Sequence, residues 1–247
     1  SHELRTPLTL IEGPLSEVLA DEKLPEADRV YLTVVQTNAH RMLNLINQIL
    51  DFRKIQNEKM RLLVEKLNVR ESLEAIMENF ENIARQHRID FRLEMGADDV
   101  YVWADRDKFE KIFVNIISNA FKYTPPGKTI TVRVKSDDEN VVVAVQDQGV
   151  GIQPSKVAML FQRFDTILQD NIYQQSTGIG LSLVKQLVDL HHASIDVQSE
   201  EGVGSTFEVS FPVGKTHLED DERVEFLMND DIGVDGSPDD ADSDAEE

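Results

Sequence analysis

The first side chains with catalytic potential lie at the start of the chain, where His2 is followed directly by Glu3. A carboxylate beside a histidine can hold one ring nitrogen protonated and leave the other free to attack an electrophile. Thr6 lies one helical turn after His2, and Pro7 would bend a helix there at a cost of about 3 kcal/mol. The residues alone allow two interpretations, a nucleophilic histidine or an ordinary solvent-facing histidine at a helix start.

A second candidate group lies on a predicted helix that begins after Asp105 and ends before Pro125. Asn115, Asn119 and Lys122 fall at positions i, i+4 and i+7, so they share one face of that helix. An amide oxygen can ligate Mg²⁺, and an ammonium group can meet phosphate oxygens. The spacing therefore indicates either a site for metal-bound phosphates or an ordinary hydrated helix face.

Three glycine-containing turns follow this helix. In the first, residues 147–152, Asp147 can accept a hydrogen bond from an exocyclic amine, while Gly149 and Gly151 allow close backbone approach. The second, residues 177–181, opens a predicted helix, whose free amides form an anion site. We assign the third, residues 202–204, to the turn between the last two predicted strands.

Composition limits the classes of protein to which the chain can belong. Its 247 residues contain 25 Lys+Arg, 46 Asp+Glu and no cysteine, which excludes disulfides, cysteine nucleophiles and thiolate metal sites. The longest apolar run, residues 141–145, is far shorter than the roughly 20 residues of a membrane-spanning helix. Most of the net charge of −21 lies in residues 217–247, which we expect to form an acidic linker or disordered tail. We predict no nucleic-acid partner for this chain.

Two amphipathic helices are predicted at the start of the chain. Apolar residues recur at spacings of three and four over residues 4–18 and again over residues 32–49, with a polar connection at residues 21–28. The two helices should fold back as an antiparallel hairpin. Because a lone hairpin cannot bury both apolar stripes, we expect two copies to form a four-helix bundle, with packing against the rest of the chain as the alternative.

After this hairpin the pattern changes to alternating helices and short strands. Helices are predicted over residues 67–87 and 105–123 and after residue 178, and strands over residues 89–95, 100–103, 129–135, 140–146, 194–198 and 206–211. The mixture predicts an α+β fold, a sandwich with one layer of helices and one of strands. The predicted division is a hairpin at 1–64, a second domain at 65–216 and the acidic segment at 217–247.

Taken in order, these motifs resemble the sensor histidine kinases of two-component signalling over residues 1 to about 213. Residues 1–8 are similar to the family's phosphoacceptor box, and residues 115–124 to its N box. Residues 147–151 match the family's first glycine box, and residues 161–164 match its phenylalanine box. Residues 178–181 match the second glycine box, and residues 202–204 match the third. The resemblance implies a dimerisation and phosphotransfer hairpin, followed by the GHKL-type α/β-sandwich ATP-binding domain that histidine kinases share with gyrase and the Hsp90 chaperones.

The resemblance also implies roles for particular residues. His2 would be the phosphoacceptor, Glu3 its base, and Thr6 a residue that orients water to dephosphorylate the receiver. Asn119 would ligate Mg²⁺, and Asp147 would bind adenine. The other residues implied to line the nucleotide site are Asn115, Lys122, Tyr123, Gly149, Gly151, Phe164, Thr177, Gly178, Ile179, Gly180, Leu181 and Thr206. Residues 165–176, polar and without an apolar period, are expected to form a lid over the phosphates, anchored at its entrance by Phe161 and Phe164.

The implied reaction is ATP-dependent autophosphorylation of His2, followed by phosphoryl transfer to an aspartate of a response-regulator receiver domain on the same or another chain. ATP and Mg²⁺ are the implied cofactors, and a second copy of the chain is the implied dimer partner. The implied location is the cytoplasmic part of a membrane-anchored sensor, of the hybrid type if the acidic tail leads into a receiver. Two other interpretations remain open, an ATP-driven conformational clamp with the same fold and a non-catalytic dimeric scaffold.

Overall fold

The N-terminal part of the chain forms the predicted helical hairpin. The computed structural model describes residues 2–21, 23–161 and 179–227, without the side chains of residues 2–6, 8 and 9. Helix α1 is His2–Leu19 and helix α2 is Glu26–Gln56. The guanidinium of Arg29 closes the connection, because it donates to the backbone carbonyls of Leu19 and Asp21 at 2.6 and 2.8 Å.

The apolar stripe of α2 is only half covered within one chain. Ala39 and Leu43 are buried, whereas Val35, Met42 and Ile49 are 48%, 53% and 44% exposed. Exposure of these side chains shows that the rest of the described chain does not cover the stripe. The hairpin therefore presents an apolar face to solvent along much of its length.

The remainder of the described chain is a two-layer α+β domain, as predicted. Its helices are α3 (Val69–Glu78), α4 (Glu81–His87), α5 (Arg106–Tyr123), α6 (Pro154–Val157) and α7 (Gly180–Leu190). Its strands are β1 (Leu62–Asn68), β2 (Asp90–Glu94), β3 (Tyr101–Asp105), β4 (Thr129–Ser136), β5 (Asn140–Asp147), β6 (Ser194–Glu200), β7 (Gly204–Pro212) and β8 (Val224–Phe226).

The strands form two sheets that position the helices. The larger sheet has the order β2-β4-β5-β7-β6, with β2 and β4 parallel and the other neighbours antiparallel. The smaller sheet has the order β3-β1-β8. Helix α5 packs beside α7 on the inner face of the larger sheet, where the rings of Phe109 and Phe113 lie 5.6 and 6.5 Å from that of Phe211. This core fixes α5 directly beside the end of β5.

The start of the second domain differs from the prediction. Residues 62–68 form β1, whose side chains at Leu62, Val64 and Leu67 are fully buried, so the predicted boundary at residue 64 falls inside a strand. The single helix predicted over residues 67–87 is two helices, since residues 79–80 separate α3 from α4. Helix α3 begins after Asn68, whose side chain caps the helix by accepting from the Glu71 N–H.

The C-terminal boundary also differs from the prediction. Residues 217–227, expected to be linker, are folded: a 3-10 helix at Thr216–Leu218 buries Leu218 completely, and β8 pairs in parallel with β1. The ring of Phe226 meets Trp103 edge to face at 6.0 Å, and Lys215 Nζ lies over both rings. The sequence did not predict this folded segment, because its composition is acidic and its contacts with the domain come from isolated apolar residues. Residues 228–247, the rest of the predicted tail, lie outside the described residues.

The hairpin and the second domain touch through the end of α2. The carboxylate of Asp51 accepts from Lys111 Nζ on α5 at 2.6 Å, and α2 also contacts α7. Within the described ranges, no helix is both long enough and apolar enough to cross a membrane.

Candidate functional site

A buried carboxylate lies at the end of β5. Asp147 is only 7% exposed, and its Oδ1 accepts from the Gly149 N–H at 2.7 Å. Burial raises the pKa of Asp147 above its ordinary value, while hydrogen bonds from the backbone N–H groups of Gly149 and Ser205 act in the opposite direction. A carboxylate has room for further donors, so Asp147 can still accept from the amine of a ligand.

The glycines of the first and third motifs pack loops of the protein against each other. A Cβ on Gly151 would overlap the Glu200 carbonyl, and one on Gly204 would overlap the Asp147 carbonyl; both residues have positive φ, at 67° and 141°. A Cβ on Gly149 would lie 2.6 Å from the Tyr123 carbonyl oxygen. These glycines thus let the Asp147 loop sit between the end of α5 and the β6–β7 turn.

Hydrogen bonds join the same loop to the β6–β7 hairpin. The Val150 carbonyl accepts from the Gly202 N–H at 2.8 Å, and the Ile152 N–H donates to Ser199 Oγ at 2.8 Å. The Val150 N–H in turn donates to the Tyr123 carbonyl at 3.2 Å. The third glycine motif forms the predicted turn and, in addition, docks on the Asp147 loop.

The predicted polar face of α5 lies beside this loop and beside the start of α7. Asn115, Asn119, Lys122 and Tyr123 are all half-buried. The Nδ2 group of Asn115 donates to the Lys111 carbonyl at 2.7 Å. A Cβ on Gly180 would lie 2.9 Å from Asn115 Oδ1, so this amide oxygen faces the first turn of α7.

The second glycine motif is described only from its middle onward. Ile179 is buried and precedes Gly180, the first residue of α7, and Leu181 is half-buried. The first backbone amides of this 11-residue helix lack partners within the helix, and its dipole favours negative charge. Helix α5 thus contacts the Asp147 loop at Tyr123 and the start of α7 at Asn115.

Strand alternation places Thr206 and the buried Asp147 on opposite faces of the larger sheet. Thr206 pairs with Gln146 on the outer face of the sheet, whereas Ser205 lies opposite Asp147 on the inner face, where it is 7% exposed. Ser205, rather than Thr206, therefore shares the face of Asp147, and the role of Thr206 stays a prediction. The alternation of buried Phe207, Val209 and Phe211 contained this information, because residue 205 must share their face.

Several predicted site residues cannot be compared with the structure. His2, Glu3 and Thr6 belong to α1, but their side chains are not described; Pro7 lies inside that helix, as expected. Phe164, Thr177, Gly178 and the predicted lid at 165–176 lie outside the described residues, whereas Phe161 is half-buried. Their functional roles stay predictions.

The paired histidines after α7 serve the fold. His191 is fully buried, its Nε2 accepts from the Asp105 N–H at 3.1 Å, and its Nδ1 therefore donates to the Leu187 carbonyl at 2.7 Å. Burial lowers the pKa of His191, which keeps the ring neutral. Over residues 2–21, 23–161 and 179–227 no three His, Asp or Glu side chains are grouped so that they could hold a metal ion.

Two family models match consecutive parts of the chain and together cover most of it. Residues 1–58 match the His Kinase A (phospho-acceptor) domain, and residues 104–215 match the Histidine kinase-, DNA gyrase B-, and HSP90-like ATPase. The first match spans the hairpin, and the second spans the two-layer domain from the end of β3 to just beyond β7. The chain is a histidine kinase transmitter module.

Relatives of this histidine kinase module are named histidine kinases. Histidine kinase P4 of Formosa agariphila is 38% identical over 239 residues, which are 94% of this chain and 17% of that protein. Sensor histidine kinase WalK of Bacillus subtilis is 34% identical over 226 residues, 90% of this chain and 36% of that protein. The chain spans less than half of the length of the curated relatives it matches.

Solved structures share the fold of the module. Full-length ShkA, solved in complex with AMPPNP, superimposes with a TM-score of 0.72 at 25% identity, over 85% of this chain and 44% of that one. The catalytic domain of histidine kinase ThkA superimposes with a TM-score of 0.55 at 26% identity, over 60% of this chain and 97% of that one. Both similarities agree with the predicted nucleotide-binding fold.

Proposed function

We propose that this histidine kinase module transfers the γ-phosphoryl group of ATP to His2 and then to an aspartate of a response-regulator receiver domain. The main observation in support of this proposal is the register between the two helices of the hairpin. Gln36 bonds Ser16 and His40 contacts Glu12 across the two helices. Because both helices rise equally per residue, the same register puts the backbone of His2 level with Leu50, next to the Asp51 contact with the catalytic domain.

In the proposed reaction, a ring nitrogen of His2 attacks the γ-phosphorus. The N–P bond forms as the bond from phosphorus to the ADP oxygen breaks, and Glu3 stabilises the proton on the other ring nitrogen. Lys122 and the first amides of α7 face the phosphate charge, and Asp147 accepts from the adenine amine. Phosphorylation within one protomer and across the dimer are both compatible with this step.

The half-buried amides on α5 fit a magnesium ion. Mg²⁺ takes hard oxygen ligands and keeps several waters, so one amide oxygen with phosphate oxygens satisfies it. We assign Asn119 as the protein ligand; Mg²⁺, when bound, neutralises charge on the phosphates. Asn115 holds its oxygen toward α7 and so shapes the neighbouring wall of the site.

The exposed apolar stripe of the hairpin supports a homodimer. Val35, Met42 and Ile49 on α2, with Ile11 and Val18 on α1, are each between 44% and 53% exposed. A second hairpin packed on this face would complete a four-helix bundle. The same proposal places the module on the cytoplasmic side of a membrane-anchored sensor, with Thr6 supporting receiver dephosphorylation.

Labelling with γ-³²P-ATP tests the assignment. Wild type should acquire label that is stable to alkali and lost in acid, and His2→Gln should abolish it. His40→Gln, which changes the other histidine of the hairpin, should keep the label, and Asp147→Asn should lose it. Labelled wild type should then pass the phosphoryl group to a purified receiver domain. ATP turnover that persists in His2→Gln without a labelled protein would instead identify an ATP-driven clamp.

A further inference from the structure

The hydroxyl of Ser199 joins three segments around the base-binding carboxylate. Ser199 Oγ accepts from the Ile152 N–H at 2.8 Å, donates to the Gly204 carbonyl at 3.0 Å, and lies 2.9 Å from Ser205 Oγ. The contacts connect the Asp147 loop, strand β6 and the start of β7. None of the sequence motifs contains Ser199.

Counting protons fixes the direction of the contact between the two serines. A hydroxyl has one proton to donate. Ser199 uses that proton on the Gly204 carbonyl, so Ser205 must be the donor in the contact between the two hydroxyls. The proton of Ser205 is thereby committed to Ser199, and toward the site Ser205 Oγ can only accept.

We propose that Ser199 is a positioning residue that makes the base pocket acceptor-only and thereby selects adenine; this inference rests on the proposed function. Ser205 lies opposite Asp147 in the ladder between β5 and β7, and both are 7% exposed. Two neighbouring acceptors suit a base that presents an amine. A base with a carbonyl at the same position would meet acceptor against acceptor, which leaves buried polar groups unpaired.

Ser199 also holds the loop that carries Asp147. Its bond to the Ile152 N–H lies one residue after Gly151, whose backbone packs on the Glu200 carbonyl. Loss of the hydroxyl would therefore release both the orientation of Ser205 and one anchor of the loop. Chemistry at the phosphate end should continue, because none of these contacts involves α5 or α7.

Binding of ADP and IDP to the full chain tests the inference, since inosine carries a carbonyl where adenosine carries an amine. In Ser199→Ala, the Kd for ADP should rise about tenfold, the cost of one unpaired buried hydrogen bond. The Kd for IDP should change by much less, so the preference for ADP over IDP narrows severalfold. Autophosphorylation should show a raised KM for ATP with kcat unchanged.

Two further variants separate positioning from general damage. Ser199→Thr keeps the hydroxyl and should restore the preference for ADP. Ser194→Ala, on the same strand but exposed, should leave both affinities at wild-type values. Unchanged binding in Ser199→Ala, or equal weakening of ADP and IDP, would overturn the inference. If wild type binds ADP and Ser199→Ala narrows the preference for ADP, but wild type acquires no label on His2, only the proposed kinase reaction would be overturned.

Discussion

At Asp147, burial opposes ionisation, whereas the proposed contact with the adenine amine favours the ionised carboxylate. The pKa of this carboxyl is raised above its ordinary 3.8 by burial, more than the backbone N–H groups of Gly149 and Ser205 lower it. The folded state therefore holds the proton more tightly than the unfolded state. The stabilising effect of that proton is fully present at pH below the unfolded-state pKa and is lost as the pH rises through the folded-state pKa.

Nucleotide affinity should have the opposite pH dependence. An ionised carboxylate accepts from the adenine amine more strongly than a protonated carboxyl does, so ADP affinity should fall as the pH drops through the raised pKa of Asp147. Asp147→Asn should weaken ADP binding at least tenfold at neutral pH without lowering the melting temperature. Titration calorimetry and thermal unfolding measure the two quantities. Asp138→Asn, in the exposed β4–β5 turn, is the control and should change neither.

Two glycines of the third motif differ in what surrounds them. Gly202 and Gly204 both have positive φ, but a Cβ on Gly202 meets nothing within 4 Å, whereas one on Gly204 would overlap the Asp147 carbonyl. Gly202→Ala should cost about 1–2 kcal/mol of unfolding free energy from backbone strain alone. Gly204→Ala should cost more and also weaken ADP binding; similar losses in both would contradict the packing role. Urea unfolding and calorimetry decide between these outcomes.

Individual site residues were predictable to different degrees. Asp147 was predictable because it lies at the end of a strand, just before two glycines. The α5 amides were predictable because they recur at helical spacing. Ser199 was not predictable, because a serine in a strand has no local feature that reveals a contact with a loop 47 residues away. Its role depends on the pairing of β6 with β7, which only the folded chain brings about.

The α2 helix shows how an element can be correctly predicted and still be incomplete in one chain. Its apolar spacing predicts the helix and its stripe, and Val35, Met42 and Ile49 form the exposed part of the stripe that the proposed second hairpin would cover. Strand β1 was missed because Glu65 and Lys66 interrupt its buried residues and the helical pattern of α3 follows at once.

A charge on the exposed stripe tests the dimer. Met42→Glu should convert a dimer to a monomer, because an ionised carboxylate would otherwise be buried in the bundle without a partner. Analytical ultracentrifugation over a concentration series gives the association constant, which should fall at least a hundredfold. Thr33→Glu adds the same charge to an exposed position of α2 outside the stripe and should leave association unchanged. A dimer that persists in Met42→Glu would rule out this interface.

For the whole molecule, the folded segment at 214–227 extends the catalytic domain. Leu218→Ala should lower the free energy of unfolding by about 2–4 kcal/mol, since the side chain is fully buried. Leu227→Ala, at a 44% exposed position, should change it by less than about 0.5 kcal/mol. Trp103 is the only tryptophan in the chain and contacts Phe226, so its fluorescence reports this part of the fold. Equal effects of the two substitutions would show that the segment is not docked in solution.

Strand β8 also determines how a mechanical load would pass through the module. Leu62 N–H bonds the Arg223 carbonyl, and Leu227 N–H bonds that of Val64, so β8 runs alongside the first strand after the hairpin and in the same direction. Tension applied beyond residue 227 would act on these bonds in shear, and they would have to break together rather than one after another. A pulling force on the chain after residue 227 would therefore act on β1, at the junction between the two-layer domain and the helical hairpin.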